Sequence, residues 1–198
     1  CMLDKDYTAS LGSILNTYSP VAPSIVQQIM DNGLIQSYKR GEVIFSEKKY
    51  NAFEYFQLEG ISHRYNTDED QQLLTTGFYL NQTVLTPHFA RTINSQSIFS
   101  LQALTACLYV KVPVGTFDDL RESYPSVRAF GQRVVEKEFT KSLNHEVLFR
   151  SYTAKDRLLY FRDNYPLLEN LVPHTTIASF LGITPVSFSR LRNELAKK

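Results

Sequence analysis

The side chains best suited to chemistry lie close together near the end of the chain. Arg190 and Arg192 carry guanidinium groups, and Ser187, Ser189 and Asn193 place hydroxyl and amide groups beside them. A guanidinium can donate two parallel hydrogen bonds to one guanine, and short polar side chains can bond either bases or phosphates. These residue types within one short segment indicate a surface that reads nucleic acid.

Two short helices joined by a tight turn are predicted to position these side chains. Thr175 or Thr176 is expected to cap the first helix, and Gly182 allows the left-handed backbone that commonly ends a helix. The small side chain of Ala178 would let a second helix approach closely. The apolar residues expected on the buried side of the first helix are Ile177, Phe180 and Leu181.

The second helix is expected to begin after Thr184, a favoured N-cap residue, with Pro185 at its first position. Its inward-facing residues recur at helical spacing and are Phe188, Leu191 and Leu195. The whole pattern predicts a helix-turn-helix, whose second helix enters the major groove of DNA with its N-terminal half leading. An ordinary helical hairpin with a basic surface is the alternative.

The candidate DNA-contacting residues lie in the first turn of either helix or on the outer side of the second helix. Arg190 is the main candidate for a bidentate contact to guanine, and the threonines at the start of the first helix suit phosphate. The full set comprises Thr175, Thr176, Pro185, Val186, Ser187, Ser189, Arg190, Arg192 and Asn193.

Charge is distributed unevenly along the 198 residues, although the formal net charge is only +1. Residues 150–198 carry eight Lys and Arg against four Asp and Glu, whereas residues 1–149 carry 13 against 16. A basic end on a mildly acidic body is typical of a protein that meets a polyanion at one end. A solvated basic helix would give the same distribution.

The middle of the chain predicts a β structure. Short runs of β-branched and aromatic residues are separated by turn signals, at a spacing typical of an all-β sandwich or barrel. The expected strands are 43–45, 53–58, 61–65, 72–76, 78–80, 97–104 and 108–112. Residues 1–33 are predicted to be helical, with a start signal at Pro23 and Ser24.

A long helix is predicted over residues 126–150, with an apolar stripe near helical period and a charged opposite face. Two interpretations remain open: the stripe packs on the chain's own barrel, or it pairs with a second copy of the chain. A further helix is expected over residues 151–165, ending before Pro166, with Leu158, Leu159 and Phe161 inward.

Several segments together resemble the CRP/FNR family of bacterial transcription regulators. Residues 177–190 (IASFLGITPVSFSR) resemble the helix-turn-helix of that family, and residues 154–161 (AKDRLLYF) resemble the helix that precedes it. Residues 38–45 (YKRGEVIF) and 56–65 (FQLEGISHRY) resemble the opening strands of its cyclic-nucleotide-binding β-roll. The resemblance covers nearly the whole chain.

This resemblance implies an α+β fold in three parts. Residues 1–124 would form a sensor domain, a double-stranded β-helix of the jelly-roll, cyclic-nucleotide-binding-like type. Residues 125–150 would form a dimerisation helix, and residues 151–198 a helix-turn-helix DNA-binding domain. The implied protein is a homodimer that reads a pseudo-palindrome in double-stranded DNA, with RNA polymerase as a candidate partner. The alternative is a ligand-binding β-roll that acts through protein partners without specific DNA binding.

One departure from the family concerns the ligand. Relatives that bind cyclic nucleotides carry a Gly-Glu pair followed by Arg, but residues 79–93 (YLNQTVLTPHFARTI) lack the Gly-Glu pair. Arg91 and Thr92 are the remaining candidates for a ligand contact. A buried phosphate needs both charge and hydrogen-bond donors, so we do not expect cyclic AMP to bind, and the effector, if any, is unidentified.

Enzymatic, metal and membrane functions have no support in the sequence. The four histidines are dispersed, no catalytic arrangement is apparent, and Cys1 and Cys107 form neither a zinc motif nor a disulfide framework. We therefore expect no catalytic residue, no metal and no cofactor. No apolar run is long enough to span a bilayer and the first residues lack a signal peptide's apolar core, so a cytoplasmic protein is expected. Cys107 is predicted to be a small core residue.

Overall fold

A computed structural model describes residues 7–196 of the chain; Cys1, Lys197 and Lys198 lie outside the described residues. Two helices come first, α1 (Thr8–Asn16) and α2 (Pro23–Asp31). Pro23 occupies the first turn of α2, where its missing N–H costs nothing, as the sequence predicted. The buried side chains of both helices join a core with the sheet that follows.

Ten strands then build the body of the molecule. They are β1 (Leu34–Tyr38), β2 (Val43–Phe45), β3 (Phe53–Glu59), β4 (Ser62–Thr67), β5 (Leu73–Tyr79), β6 (Thr83–Val84), β7 (Thr92–Ile93), β8 (Gln96–Ser97), β9 (Ser100–Ala103) and β10 (Cys107–Pro113). One antiparallel sheet has the order β1-β10-β3-β6, the other has the order β2-β9-β4-β5, and β7 pairs with β8. This is the expected double-stranded β-helix, called the roll below.

The strand predictions differ from the structure in several places. Residues 97–104, expected as one strand, are divided between β8 and β9. β1 was not predicted, because four of its five residues are exposed and the sequence shows no alternating pattern. Residues 72–76 and 78–80 were expected as two strands but form the single strand β5, which runs through Gly77. Gly77 remains in the strand because its missing side chain makes room for Arg64, whose Nε would lie 2.8 Å from an added Cβ.

Helices cover one end of the roll and continue the chain. They are α3 (His88–Arg91), α4 (Val114–Ser123), α5 (Pro125–Ser151), α6 (Ala154–Asn164), α7 (Leu168–Leu171), α8 (His174–Phe180) and α9 (Pro185–Ala196). The first half of α5 packs on the roll through Val127, Phe130 and Val134, all nearly fully buried. Thr153 caps α6 by accepting a hydrogen bond from the Asp156 backbone N–H at 3.2 Å.

The last four helices form a second core that also includes part of the roll. Phe78 of β5 lies at its centre, with ring centroids 5.1 Å from Phe180 and 5.9 Å from Phe161. The expectation that Leu159 faces inward is wrong, since its side chain is 40% exposed. Cys107 is buried, as predicted.

None of the helices between residues 7 and 196 combines the length and hydropathy that crossing a membrane requires.

Candidate nucleic-acid interface

The turn between α8 and α9 closes as the sequence predicts. Gly182 adopts a positive φ of 65°, and its N–H donates to the Ser179 carbonyl at 3.0 Å. The Ile183 N–H donates to the Ala178 carbonyl at 3.0 Å, so the last carbonyls of α8 are satisfied by the pair of bonds typical of a left-handed helix end. A Cβ at Gly182 would also lie 2.8 Å from the Phe149 ring.

The start of α9 is capped by Thr184. Its Oγ1 accepts a hydrogen bond from the Ser187 N–H at 3.1 Å and donates to the Ser187 hydroxyl at 3.0 Å. Pro185 follows at the first helical position. The predicted inward stripe is confirmed, because Phe188 and Leu191 are buried and Leu195 packs against the same core.

The outer face of α9 consists of side chains that point to solvent. Arg190 is exposed and makes no ion pair or hydrogen bond with any residue in the described range 7–196. Val186 is 79% exposed, so its side chain is free to contact a partner surface. The other exposed members are Pro185, Ser189 and Asn193, and Ser187 is half-buried.

Arg192 is placed differently from the other candidate residues. Its Nε donates to a Glu169 carboxylate oxygen of α7, and Arg162 donates to the same carboxylate through two bonds of 2.7 and 3.1 Å. Burial alone would raise the pKa of Glu169, but the hydrogen bonds from the two arginines hold it below its usual value. Arg192 therefore anchors α9 to α7. Residue types and local spacing did not indicate this pair, because Glu169 is 23 residues away from Arg192.

The two threonines of the candidate set do not cap α8. The helix begins at His174 with Pro173 as its N-cap, so the expectation that Thr175 or Thr176 caps it is wrong. Thr175 is exposed and Thr176 half-buried, and both line a groove between α8 and the sheet edge at β5. Pro173 can replace a threonine here because its fixed φ suits the entry to a helix.

One hydroxyl holds the helix-turn-helix unit to the edge of the roll. The Ser179 Oγ of α8 donates to the Leu73 carbonyl at 2.7 Å and accepts from the Thr75 N–H at 3.0 Å. Both partners belong to the outer edge of β5, where backbone groups would otherwise lack partners. The Ser179 contact joins only α8 and β5, so Arg190 on the outer face of α9 takes no part in it.

Comparison with known proteins gives matches in structure only. No known protein family and no curated protein matches the chain in sequence. FixK2 from Bradyrhizobium japonicum superposes with a TM-score of 0.73 at 17% identity, over 83% of this chain and 85% of that chain. The c-di-GMP-responsive global regulator CLP from Xanthomonas campestris gives 0.74 at 11% identity, over 89% and 92%. A transcriptional regulator from Eubacterium rectale, described under the CRP/FNR family, gives 0.70 at 14% identity, over 89% and 84%.

This chain has the CRP/FNR fold. The roll, the long α5 and the terminal helix-turn-helix follow one another as the resemblance implied. At these identities the likeness concerns architecture, so the roles of individual residues depend on their geometry in this chain.

Within the CRP/FNR fold, α5 presents an uncovered apolar stripe along its second half. Phe139, Leu143 and Val147 recur every four residues and are 63%, 47% and 57% exposed. The sequence left open whether the predicted stripe packs inward or outward. Both occur: Val127, Val134 and Leu148 pack inward, while these three residues face solvent.

The ligand candidates of the roll make internal contacts, although the buried Nε and Nη1 of Arg91 have no hydrogen-bond partner in the described chain. Arg91 is fully buried, donates to the Phe53 carbonyl, and lies over the rings of Tyr55 and Phe45 at 4.9 and 5.3 Å. The Thr92 hydroxyl donates to the His88 carbonyl at 2.8 Å. A cleft of about 330 Å³ between the roll and α5 is lined by Arg64 among others, but not by Arg91 or Thr92.

A buried carboxylate accompanies Arg91. Glu54 accepts the His88 N–H at 3.0 Å, and burial raises its pKa from the usual 4.5 to about 7 in spite of the opposing charge of Arg91. Burial likewise lowers the pKa of Arg91, which Glu54 partly opposes.

The described part of the chain contains no group of three or more His, Cys, Asp or Glu side chains arranged to hold a metal ion. His63 bonds Thr75 and Gln102 at 3.0 and 3.1 Å, and the His88 ring bonds the Asn51 carbonyl at 2.7 Å. These two histidines of the roll therefore have partners other than a metal.

Proposed function

We propose that this chain is a DNA-binding transcription regulator of the CRP/FNR type that acts as a homodimer. One observation carries the proposal: the outer face of α9 presents Arg190 without a partner, on a helix that is capped at its start and held by a buried core. A guanidinium kept free on a rigid helix is suited to a bidentate contact with guanine in the major groove.

The other candidate residues take supporting roles in this proposal. Ser187, Ser189 and Asn193 would bond base edges or phosphates, and Pro185 and Val186 would pack against thymine methyl groups or sugars. Thr175 and Thr176 would contact phosphate once they are turned away from the groove that they line. Arg192 would act indirectly, by holding α9 in place through Glu169.

The homodimer is proposed on the apolar stripe of α5. Phe139, Leu143 and Val147 form a row of large apolar side chains at helical spacing, and a second copy of α5 offers the matching row. A two-fold axis along this stripe would present two α9 helices. We propose that in the DNA-bound state they lie about 34 Å apart and read a pseudo-palindrome.

Regulation through the roll is part of the proposal. A small ligand other than cyclic AMP would bind in the roll and shift the balance between arrangements of the α8–α9 unit. The missing Gly-Glu pair and the internal contacts of Arg91 support a ligand different from a cyclic nucleotide. RNA polymerase is a proposed partner. A cytoplasmic location is also proposed, because the protein would have to reach DNA there.

Selection of bound sequences from random duplex DNA tests the proposal. The wild-type chain should enrich a two-fold symmetric motif, and Arg190→Ala should lose preference at one base pair in each half-site while retaining binding to the remaining positions. Discrimination at that pair should fall by about 1–3 kcal/mol. Arg40→Ala is the matched control, because Arg40 is an exposed arginine on the roll.

Salt dependence separates the proposal from its alternative, a ligand-binding roll that acts through protein partners. A protein that neutralises phosphates loses DNA affinity steeply as salt concentration rises. Either of two results would contradict the role proposed for α9: no enriched motif for the wild-type chain, or the same motif for Arg190→Ala as for wild type.

A further inference from the structure

A small, partly open cavity lies where the roll, α5, α6 and α8 meet, and we call it the junction cavity. Its volume is about 130 Å³. Pockets for drug-sized ligands and nucleotides occupy roughly 300–1,000 Å³, so this cavity has room only for a ligand of a few heavy atoms. It adjoins the larger cleft between the roll and α5, with which it shares Arg64, Thr76 and Ser142, but only the junction cavity has side chains of α6 and α8 in its wall.

Basic side chains from two elements converge on the junction cavity. Arg64 comes from β4, and Lys141 and His145 come from successive turns of α5. Arg64 is held in place by Glu138 at 3.1 Å, so its charge is compensated. Lys141 makes no ion pair with any residue of the described chain, and its charge is therefore uncompensated beside the cavity.

His145 places an unpaired nitrogen atom beside the junction cavity. Its Nε2 is buried and has no hydrogen-bond partner within the described chain. The ring is fixed by contacts to Phe149 and Phe180, at centroid distances of 4.6 and 4.9 Å. Burial, and then the charges of Arg64 and Lys141, lower the pKa of His145. An unpaired buried nitrogen is destabilising and calls for a water or an ion as its partner.

Hydroxyl groups complete the lining of the junction cavity. Ser142 of α5, Tyr160 of α6 and Tyr165 at the end of α6 all border it. Burial raises the pKa of Tyr165 to about 12, so its hydroxyl keeps its proton and can donate it in a hydrogen bond. Cations combined with hydroxyl donors are the groups that bind oxyanions most strongly.

We propose that the junction cavity binds a small oxyanion, either a free phosphate group or a carboxylate of a few atoms. Lys141 supplies the charge, Arg64 adds a fixed guanidinium, and His145 donates through Nε2. Because Phe180 of α8 and Tyr160 of α6 form part of the wall, the bound anion joins the roll and α5 to the helix-turn-helix unit. The site does not depend on the proposed role in DNA binding.

The four histidines of the chain make a direct test practical. In the full-length ¹⁵N-labelled protein, the imidazole signals can be assigned by comparison with His145→Gln. Potassium phosphate is added at constant pH, with potassium chloride keeping the ionic strength constant. We expect a saturable shift of the His145 signal, while the signals of the other three histidines stay in place.

A matched pair of variants then tests the ligands. Lys141→Gln should weaken phosphate binding about tenfold or more, since a hydrogen bond to a charged group is worth about 1.5–3 kcal/mol. Lys137→Gln is the control, because Lys137 lies one turn earlier on α5, over the Tyr18 ring at 4.9 Å. Its affinity should stay within about twofold of wild type, as expected for a solvent-screened charge.

Potassium acetate forms a second arm that distinguishes the two sources of oxyanion. A saturable His145 response to either anion supports the site and identifies the class. A response to neither anion, equal shifts of all four histidines, or equal affinities of Lys141→Gln and Lys137→Gln would overturn it. If His145→Gln fails to fold, the rise in melting temperature with phosphate, compared between wild type and Lys141→Gln, gives the same decision. No arm contains DNA, so failure here leaves the proposed DNA-binding role untouched.

Discussion

Arg190 and Arg192 are two residues apart, yet the structure separates their surroundings completely. Arg190 has no partner in the described chain, whereas Arg192 is bonded to Glu169 and lies 3.3 Å from the His174 ring nitrogen. Residue type and spacing made both candidates for the same chemistry. The distinction arises because residues two apart on a helix point in directions about 160° apart, so only one of them can meet a neighbouring helix.

The carboxyl group of Glu54 leads to a prediction about how the stability of the fold depends on pH. Its raised pKa means that the folded chain holds this proton more tightly than the unfolded chain does. Its contribution to stability is therefore full below pH 4.5 and is lost as the pH rises to about 7. Relative to wild type, Glu54→Gln should gain about 1–3 kcal/mol in unfolding free energy across this window.

Urea denaturation of both proteins at several pH values measures this difference. Burial also lowers the pKa of His63 and His145, but both histidines are common to the two proteins, so their effects cancel in the comparison. A difference that is constant with pH would contradict the assignment of a protonated Glu54.

At the scale of elements, the turn between α8 and α9 was the most predictable part of the chain. Gly182, Thr184 and Pro185 each act on the backbone within a few residues, so their types alone indicate where one helix ends and the next begins. The N-cap of α8 was mispredicted. Pro173, and not Thr175 or Thr176, occupies this position because the helix begins at His174, earlier than the sequence pattern indicated. β1 escaped prediction because its pairing with β10 joins residues far apart in sequence.

The turn provides a prediction with a matched control. Gly182→Ala should lower the unfolding free energy by about 1–2 kcal/mol or more, because alanine disfavours the positive φ and its Cβ would meet the Phe149 ring. Gly115→Ala should instead be neutral or stabilise by up to about 1 kcal/mol, since Gly115 lies in α4 with open space around it. Chemical denaturation followed by far-UV circular dichroism measures both. Equal effects of the two substitutions would show that Gly182 is not required by the turn.

On the scale of the whole molecule, the two faces of α5 have different surroundings. The inward residues join the core of the roll, and the outward stripe of Phe139, Leu143 and Val147 remains open to a partner. The hydrophobic pattern of the sequence combined both surfaces, which is why its period was irregular. The same helix also reaches the turn of the helix-turn-helix, where the Phe149 ring approaches Gly182.

A charge placed in the outward stripe tests the proposed dimer. Leu143→Glu should raise the dimer dissociation constant about 100-fold or more, because an unpaired charge in an interface costs about 3 kcal/mol or more. Asn144→Glu, which adds the same charge at an exposed position turned about 100° around α5 from Leu143, should leave the dimer intact. Sedimentation equilibrium measures both association constants. A dimer of unchanged affinity for Leu143→Glu would exclude the stripe as the interface.

Local signals sufficed to predict the helix-turn-helix, most strands of the roll and the apolar stripe of α5, because capping, turns and periodicity act over a few neighbouring residues. Three other features emerged only from the folded chain: the Arg192–Glu169 pair, the burial of Arg91, and the contact of Ser179 with β5. The last of these joins residues 104 positions apart. Contacts between distant segments depend on how the helices and strands pack. Residue types and their spacing along the chain act locally and do not predict that packing.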